Sequence, residues 1–269
     1  MNLEIITSKN NQLIKLFSKL ASSKKERMQS GLFVIEGLRI VEDALSENIE
    51  IHSLIISEQY TDKYSYILSQ ADLRGVKPVI VSNELGNRIS CTEKTQGIFA
   101  VCKMKSQPDF SSSIICNGKY AVLYQLQDPG NLGTIIRTAD AMGIDGVILC
   151  QSCDIYSPKT MRSTMGSAFR MNIWNIPDIS FIVSEFRNAH IKTYPAVIDS
   201  SAADLRKCSF SDGGAVIIGN EGNGIPDDIV KLCDIPVTIK MNGNINSMNA
   251  GMAAGIILWE MTSGGFGNE

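Results

Sequence analysis

The chain has 269 residues, 44% of them hydrophobic and 20% charged, which is enough apolar material for packed cores and argues against a disordered protein. No apolar run is long enough for a membrane helix, and no apolar stretch follows the N-terminal charges as in a secretory signal. The seven cysteines are an odd, scattered number in a chain large enough to fold without disulfides. We therefore expect a reduced, cytoplasmic globular protein.

The net charge of −3 does not by itself indicate a nucleic-acid partner, but the charge is unevenly distributed. Residues 1–106 contain 14 basic and 12 acidic side chains, whereas the remainder contains 11 and 16. The basic side chains of the first 27 residues either face water from an amphipathic helix that buries Leu13, Leu16, Phe17 and Leu20, or follow a phosphate backbone. Charge alone favours the solvated helix.

The first hundred residues predict a small α/β or α+β domain, because short apolar strands alternate with helical segments. The strands are predicted at 32–36, 51–57, 76–81 and 97–103, and the clearest helices at 38–46 and 64–73. The periodicity is then lost between Lys105 and Lys119, where Pro108, three serines and Gly118 indicate a linker.

The second half predicts a parallel sheet covered by helices, since its strands are continuously apolar rather than alternating. Strands are predicted at 120–126, 146–150, 171–176, 191–197 and 215–219, with helices at 132–142, 158–169, 181–189, 227–232 and 249–261. Such sheets bind ligands where loops leave the carboxyl ends of strands. That rule selects the Gly- and Asn-rich loops 128–133, 219–224 and 242–249.

Several other motifs are too weak to define a site. Cys150 and Cys153 lack two further zinc ligands, and the histidines His52 and His190 stand alone, so no metal site is expected. The segment at 219–224 reads G-x-x-G-x-G and not the dinucleotide fingerprint, which makes a nicotinamide-dependent oxidoreductase a remote alternative. The loops supply amide, hydroxyl and charged groups for orienting a ligand, although Gly and Asn also simply form turns.

Three segments resemble, in chain order, the motifs of the SpoU (also called TrmH) family of RNA ribose 2′-O-methyltransferases. They are YQLQDPGNLGTIIRTADAMG at 124–143, IIGNEGNGI at 217–225 and NSMNAGMAAG at 246–255. More weakly, LFVIEGLRIVEDAL at 32–45 and TQGIFAV at 95–101 resemble the N-terminal substrate-binding domain of members that act on ribosomal RNA. The resemblance implies an RNA substrate-binding domain at 1–106, a linker at 107–117 and a methyltransferase domain of the SPOUT class at 118–269.

The resemblance also implies a deep trefoil knot in the second domain, a homodimer and S-adenosylmethionine as methyl donor. It gives catalytic roles to Asn131, Arg137, Glu221 and Asn249, and donor contacts to Gly219, Asn220, Gly222, Ile239, Ser247 and Met248. In the first domain, it implies that six basic side chains contact RNA phosphates: Lys9, Lys15, Lys24, Lys25, Arg27 and Arg39.

Three positions depart from the family pattern. Met248 replaces a leucine, Gly251 replaces a hydroxyl residue, and Lys240 replaces the proline that usually stiffens the donor loop. With these departures, the resemblance still implies an S-adenosylmethionine-dependent 2′-O-methyltransferase of RNA, and the N-terminal domain favours ribosomal RNA as its substrate. The alternatives are an RNA-binding module without catalysis and a methyltransferase that modifies tRNA.

Overall fold

The computed structural model describes residues 5–241, 243 and 247–263. The chain divides into two compact units, Met1–Ser106 with Asp154–Arg170, and Gln107–Cys153 with Met171–Glu269. The sequence division had placed 154–170 within the second domain. Counted by unit, the first has 17 basic and 13 acidic residues and the second has 8 and 15. The net charges of the two units are therefore +4 and −7, compared with +2 for residues 1–106 and −5 for the rest of the chain.

The first unit surrounds a sheet whose described strands follow the order β1-β4-β3-β5-β2, parallel from β1 to β3 and antiparallel from β3 to β2. Its strands are β1 Ile5–Ile6, β2 Leu32–Glu36, β3 Ile51–Ser57, β4 Pro78–Val81 and β5 Ile98–Lys103. Its helices before the linker are α1 Gln12–Ser22, α2 Lys24–Ser30, α3 Leu38–Ser46, α4 Ser65–Leu73 and α5 Asn83–Ile89. The predicted strands and helices are present, and α2 and α5 were missed.

Helix α1 shows why the N-terminal segment is amphipathic. Asn11 caps it by accepting a hydrogen bond from the Leu13 N–H at 2.9 Å. Ile14, Phe17 and Leu20 are buried, and the lysines face outward. Because the apolar residues recur every three or four positions, they form one stripe that packs on the sheet.

The segment 154–170 packs on the first unit as two short helices, α8 Pro158–Thr164 and α9 Ser167–Arg170. Met161 and Phe169 join the hydrophobic core that contains Phe33. The single helix predicted over 158–169 is wrong because the backbone turns at Met165 and Gly166, with φ of 50° and +84°. A Cβ on Gly166 would lie 2.3 Å from the Asp43 carboxylate, so only glycine permits this close approach.

The second unit is built on a fully parallel sheet, as the sequence predicted. Its strands are β6 Lys119–Tyr124, β7 Gly146–Cys150, β8 Ile173–Asn175, β9 Thr193–Pro195 and β11 Gly214–Ile218, with the short pair β10 Ala203–Asp204 and β12 Val237–Thr238 beside it. Its helices are α6 Phe110–Ser113, α7 Pro129–Ala141, α10 Ile179–Asn188, α11 Asp227–Leu232 and α12 Ala250–Ser263. Several predicted strands are shorter than expected. The strand predicted to reach residue 126 ends at Tyr124, because Gln125 adopts a φ of 53°.

The described strands of this sheet follow the order β8-β7-β6-β11-β9. From β6 the chain winds outward through β7 to β8 and then crosses to the other side, where β9 and β11 lie. The sheet therefore changes winding direction between β6 and β11, which is where open α/β sheets bind ligands. In the part of the chain that the structure describes, no helix is long and apolar enough to cross a membrane.

Candidate functional site

The loops that follow β6 and β11 lie side by side, because these neighbouring parallel strands end at the same edge of the sheet. The first loop leads into α7, which Asp128 caps by accepting a 2.7 Å hydrogen bond from the Asn131 N–H. Pro129 at the first helical position has the φ that a helix requires. The sequence D-P-G-N therefore fixes where α7 begins and places Asn131 in its first turn.

Glu221 joins these two loops. Its carboxylate accepts hydrogen bonds from the backbone N–H groups of Gln127 and Asp128, at 3.1 and 2.9 Å. It also accepts one from the Asn131 side-chain amide, at 3.1 Å. Burial by itself raises the pKa of the Glu221 carboxyl, but these three donors outweigh that effect and hold the pKa below its ordinary value. Glu221 is therefore an ionised tether.

The start of α12 attaches to the same cluster. The Asn249 side-chain amide donates to Asn131 Oδ1 at 2.9 Å, and Asn249 Oδ1 accepts from the Met252 N–H at 3.2 Å. A Cβ at Gly251 would lie 3.2 Å from Asn249 Oδ1 and 3.4 Å from Asn131 Oδ1. The glycine found in place of a hydroxyl residue thus leaves room for the amide pair.

Three of the four predicted catalytic residues consequently form one hydrogen-bonded chain from Glu221 through Asn131 to Asn249. Arg137 is different. It lies on the exposed side of α7, and its guanidinium has no hydrogen bond or ion pair with any residue that the structure describes. Its donors are available to an external oxygen, and an arginine stays protonated at physiological pH.

A cavity of about 900 Å³ adjoins this cluster. Its walls are largely apolar, with Ile218, Val237 and Ile257 among them. All six predicted donor contacts line it: Gly219, Asn220, Gly222, Ile239, Ser247 and Met248. Glu221 also lines it and so connects the cavity to the amide chain. Part of the third predicted loop, namely 242 and 244–246, lies outside the described residues.

Among the described residues, the charged side chains that line the cavity are all acidic. Asp199, Glu221, Asp227 and Asp234 line it, and no lysine or arginine does so within the described part of the chain. A phosphorylated ligand would meet uncompensated negative charge there, whereas a nucleoside carrying a positive charge would be favoured. Apolar walls, exposed loop backbone and carboxylates together fit the adenosine and sulfonium of S-adenosylmethionine.

The geometry of the loop explains why residue 219 is a glycine. A Cβ at this position would lie 2.4 Å from the backbone carbon of Gly224, so glycine is needed to let the loop fold back on itself. Asn220 has a similar structural role: its Nδ2 donates to the Gln125 carbonyl, and its Oδ1 accepts from the N–H groups of Gly222 and Asn223. The Asn220 side chain is therefore occupied within the protein.

The predicted RNA contacts of the first unit divide into two groups. Lys9, Lys15, Lys24, Lys25 and Arg39 are exposed. Arg27 is only 4% exposed and pairs with Asp154, with Nη2 to Oδ2 at 2.6 Å and Nε to the same oxygen at 2.8 Å. The prediction of a phosphate contact at Arg27 is wrong, because its guanidinium is already used inside the unit.

In the Cys150–Cys153 motif, Cys150 is buried and Cys153 is half-buried. Burial, and secondarily the charge of Asp178, raise the pKa of the Cys150 thiol to about 11, which disfavours the reactive thiolate. Within the described ranges, no group of three or more His, Cys, Asp or Glu side chains is arranged to hold a metal ion.

Sequence reasoning missed the main-chain groups that three residues contribute to the site. Gln127 and Asp128 supply the backbone N–H groups that bind Glu221, and Gln125 supplies a carbonyl to Asn220. Because main-chain groups are the same in every residue, only the D-P capping pattern at 128–129 could have indicated them from the sequence.

Comparisons with known proteins agree with this geometry. Residues 118–259 match the model of the SpoU rRNA Methylase family, and residues 11–100 match an MRM3-like substrate binding domain. The chain is 31% identical over 259 residues to the 23S rRNA (guanosine(2553)-2′-O)-methyltransferase RlmP of Bacillus subtilis, covering 95% of this chain and 98% of that protein.

Two solved structures are also similar. An AdoMet-bound rRNA methyltransferase from Sinorhizobium meliloti superposes with a TM-score of 0.86 at 28% identity, covering 98% of this chain and 99% of that one. The SpoU methyltransferase AviRb from Streptomyces viridochromogenes, in complex with AdoMet, gives a TM-score of 0.81 at 25% identity, with 94% and 98% covered.

Proposed function

The chain belongs to the SpoU rRNA methylase family, and on this premise we propose that it transfers a methyl group from S-adenosylmethionine to a ribose 2′-hydroxyl of ribosomal RNA. The observation that carries this function is the joining of an acidic, apolar-walled cavity to the Glu221–Asn131–Asn249 chain beside α7. The cavity has the apolar walls and carboxylates that a nucleoside with a positive charge requires. The hydrogen-bonded residues Glu221, Asn131 and Asn249 can hold the acceptor ribose in a fixed orientation.

The donor, when bound, supplies an electrophilic methyl group on a positively charged sulfur. Gly219, Gly222, Ile239 and Met248 would hold it through backbone and apolar contacts, with the cavity carboxylates complementing its charge. In the transfer, the ribose oxygen forms a bond to the methyl carbon, the carbon–sulfur bond breaks, and the hydroxyl proton is lost. Alignment of the two partners accounts for much of the acceleration of such a displacement.

Arg137 would bind the acceptor through a neighbouring RNA phosphate or the hydroxyl oxygen, because its guanidinium has no described partner within the protein. A protonated guanidinium is not a simple base, so the proton would leave to the arginine-bound phosphate or to water. Asn131 and Asn249 would fix the geometry. Glu221 would keep Asn131 in position and hold the two loops together.

The first unit would bind the RNA, consistent with its net charge of +4. A ribose hydroxyl distinguishes RNA from DNA, and sequence-specific recognition of RNA favours single-stranded loops and splayed bases. Lys9, Lys15, Lys24, Lys25 and Arg39 are the exposed predicted contacts. The division into a binding unit and a catalytic unit, and the cytoplasmic location, remain predictions.

A homodimer is the proposed assembly. Met252, Ile256 and Trp259 form an apolar stripe along α12 and are 64%, 39% and 51% exposed. These positions are four and three residues apart and therefore lie on one helix face, which a second copy would cover. The trefoil knot is likewise proposed, because α12 packs on α7 and β11 after the chain has formed the β10–β12 pair.

The test is to incubate the protein with methyl-labelled S-adenosylmethionine and unmodified ribosomal RNA transcribed in vitro, and to map the label by nuclease digestion and mass spectrometry. We expect one ribose-methylated nucleotide, and no label when that nucleotide is replaced by its 2′-deoxy form. Label in tRNA but not in ribosomal RNA would reassign the substrate. RNA binding without donor binding would indicate a non-catalytic module.

A further inference from the structure

Three glutamines lie along the edge of the second unit's sheet at which β6 and β7 both end. They are Gln125, Gln127 and Gln151, which we name the glutamine row. The Gln127 Nε2 donates to the Gln125 carbonyl at 3.1 Å, and the Gln125 Nε2 donates to Gln151 Oε1 at 3.0 Å. The Gln151 Nε2 ends the row by donating to the Pro177 carbonyl at 3.0 Å. The proposed function assigns no role to these three side chains.

The backbone of the glutamine row is strained at two positions. Gln125 and Gln151 each directly follow the end of a strand, and each adopts a φ of 53°, in the left-handed region that residues with a side chain rarely enter. Such conformations persist only where the surrounding structure enforces them, and they are concentrated at functional sites. Here the turn at Gln125 is followed by the N–H groups of Gln127 and Asp128, which both reach the Glu221 carboxylate.

Gln127 lies beside the residues that would align the acceptor. Its N–H donates to Glu221 Oε2 at 3.1 Å, and Glu221 Oε1 accepts from the Asn131 side-chain amide, also at 3.1 Å. Glu221 lines the cavity that would hold the donor, whereas Gln127 does not. The Gln127 side chain is therefore next to the acceptor position and outside the space for the donor.

The Gln127 side chain is only partly used within the protein. It is exposed, and its amide makes one hydrogen bond to the described residues, from Nε2 to the Gln125 carbonyl. The second N–H of Nε2 and the Oε1 oxygen have no partner in the part of the chain that the structure describes. A side-chain amide thus presents a donor and an acceptor to solvent, and these match the donors and acceptors along the edge of a nucleobase.

We propose that Gln127 recognises the base of the nucleotide that is methylated, and so helps to determine the specificity of the reaction. The base is attached to the ribose carbon next to the one that carries the 2′-hydroxyl. A ribose aligned by Asn131 and Asn249 therefore places its base close to the neighbouring loop, where the Gln127 amide would form hydrogen bonds with the base edge. The rest of the glutamine row would hold that amide in place. This inference rests on the proposed function.

The test compares full-length wild type with Gln127→Met, which keeps the length of the side chain and removes its amide. The substrates are in vitro transcribed ribosomal RNA and three copies in which the methylated nucleotide, once mapped, carries each of the other bases. Wild type should prefer the natural base. For Gln127→Met we expect kcat/KM with the natural RNA to fall by about tenfold, as for one lost hydrogen bond, and the preference for the natural base to fall by about the same factor.

Asn172→Leu is the matched control. Asn172 is also an exposed amide of the second unit that donates one hydrogen bond to a backbone carbonyl, that of Asp145 at 3.3 Å. It precedes β8 and therefore lies at the opposite edge of the parallel sheet from Gln127. We expect kcat/KM and base preference close to wild type for this variant. The thermal midpoint should change equally little in both variants, and donor affinity, measured by calorimetry, should stay at the wild-type value.

The outcomes separate the two proposals. If wild type methylates the RNA and Gln127→Met keeps the wild-type base preference, Gln127 does not recognise the base and the methyltransferase function stands. A kcat/KM that falls by the same factor with all four RNAs would make Gln127 a structural residue of its loop and would also overturn the inference. So would a wild type that methylates all four bases equally well. If wild type methylates none of these RNAs, both proposals fail.

Discussion

The polar groups of the two units are used in opposite ways. Around the cavity of the second unit, Glu221, Asn131 and Asn249 are bonded to one another and to loop backbone. On the first unit, Lys9, Lys15 and Arg39 are exposed, and their side chains have no hydrogen bond or ion pair with any residue that the structure describes. One region is hydrogen-bonded internally, and the other presents donors outward.

This contrast separates two tasks: the alignment of the reacting groups in the second unit and the binding of the RNA backbone by the first. A polar chain that is already satisfied costs little to organise when a ligand arrives, which suits a step in which geometry determines the rate. Unpartnered cations gain most when an anion arrives, which suits the binding of a phosphate backbone. Arg137 in the second unit is the exception, because it stands beside the satisfied chain with its own donors free.

The largest effect is expected from Arg137→Ala. Methylation should fall by at least about 10²-fold, because the acceptor loses its alignment, while donor affinity and the thermal midpoint stay near wild type. Lys192→Ala, an exposed cation at the opposite end of the strands, is the control and should remain active. Single-turnover methylation and calorimetry with S-adenosylmethionine measure the two effects. Weak donor binding in Arg137→Ala would make Arg137 part of the donor site.

Arg27→Met tests the buried ion pair between Arg27 and Asp154 in the first unit. Removing the Arg27 guanidinium leaves Asp154 buried without a partner, which typically costs about 3–5 kcal/mol of unfolding free energy. The exposed pair Lys103–Glu50 offers the comparison, since Lys103→Met should cost less than about 1 kcal/mol. Urea unfolding of both variants checks this. Equal losses would show that burial of the Arg27–Asp154 pair has no special effect.

Gly219→Ala tests whether the fold of the cavity loop requires a glycine at this position. The new Cβ would clash with the Gly224 backbone, so we expect donor binding to be lost and stability to fall by about 1–3 kcal/mol. Gly255→Ala is the matched control, because its Cβ would come no closer than 4.0 Å to Thr138 Cγ2 and Gly255 does not line the cavity. Calorimetry and thermal unfolding distinguish the two variants. Donor binding by Gly219→Ala at wild-type affinity would contradict this reason for the glycine.

The smallest effect concerns pH. Because the folded pKa of Glu221 lies below its ordinary value of 4.5, its contribution to stability is complete above that value and declines as pH falls through the folded pKa. Wild type should therefore exceed Glu221→Gln in stability by a constant margin at neutral pH, and the margin should narrow below about pH 4.5. Urea unfolding at several pH values measures this margin. If the stability difference between wild type and Glu221→Gln increased as the pH fell, Glu221 would not be an ionised residue that holds the two loops together.

Much of the architecture could be predicted from patterns of apolar residues. The strands at 32–36, 51–57 and 146–150 were predicted with their observed limits, because continuous apolar runs between turn residues leave little choice. The break at Met165 and Gly166 was missed, since its cause is the close approach to Asp43, which is 122 or more positions away in the chain. The burial of Arg27 was missed for the same reason, because its partner Asp154 is remote in sequence.

By itself, the amino-acid sequence determined the parallel sheet, the three loops and the side chains available in them, since local spacing controls which residues leave a strand together. Tertiary structure alone decided which of those side chains form hydrogen bonds within the protein and which face solvent. It tied Glu221 to Asn131, left the exposed Arg137 side chain without a described partner, and placed 154–170 in the basic unit. Hydrogen bonding and burial depend on distances between remote segments, and those distances exist only once the chain has folded.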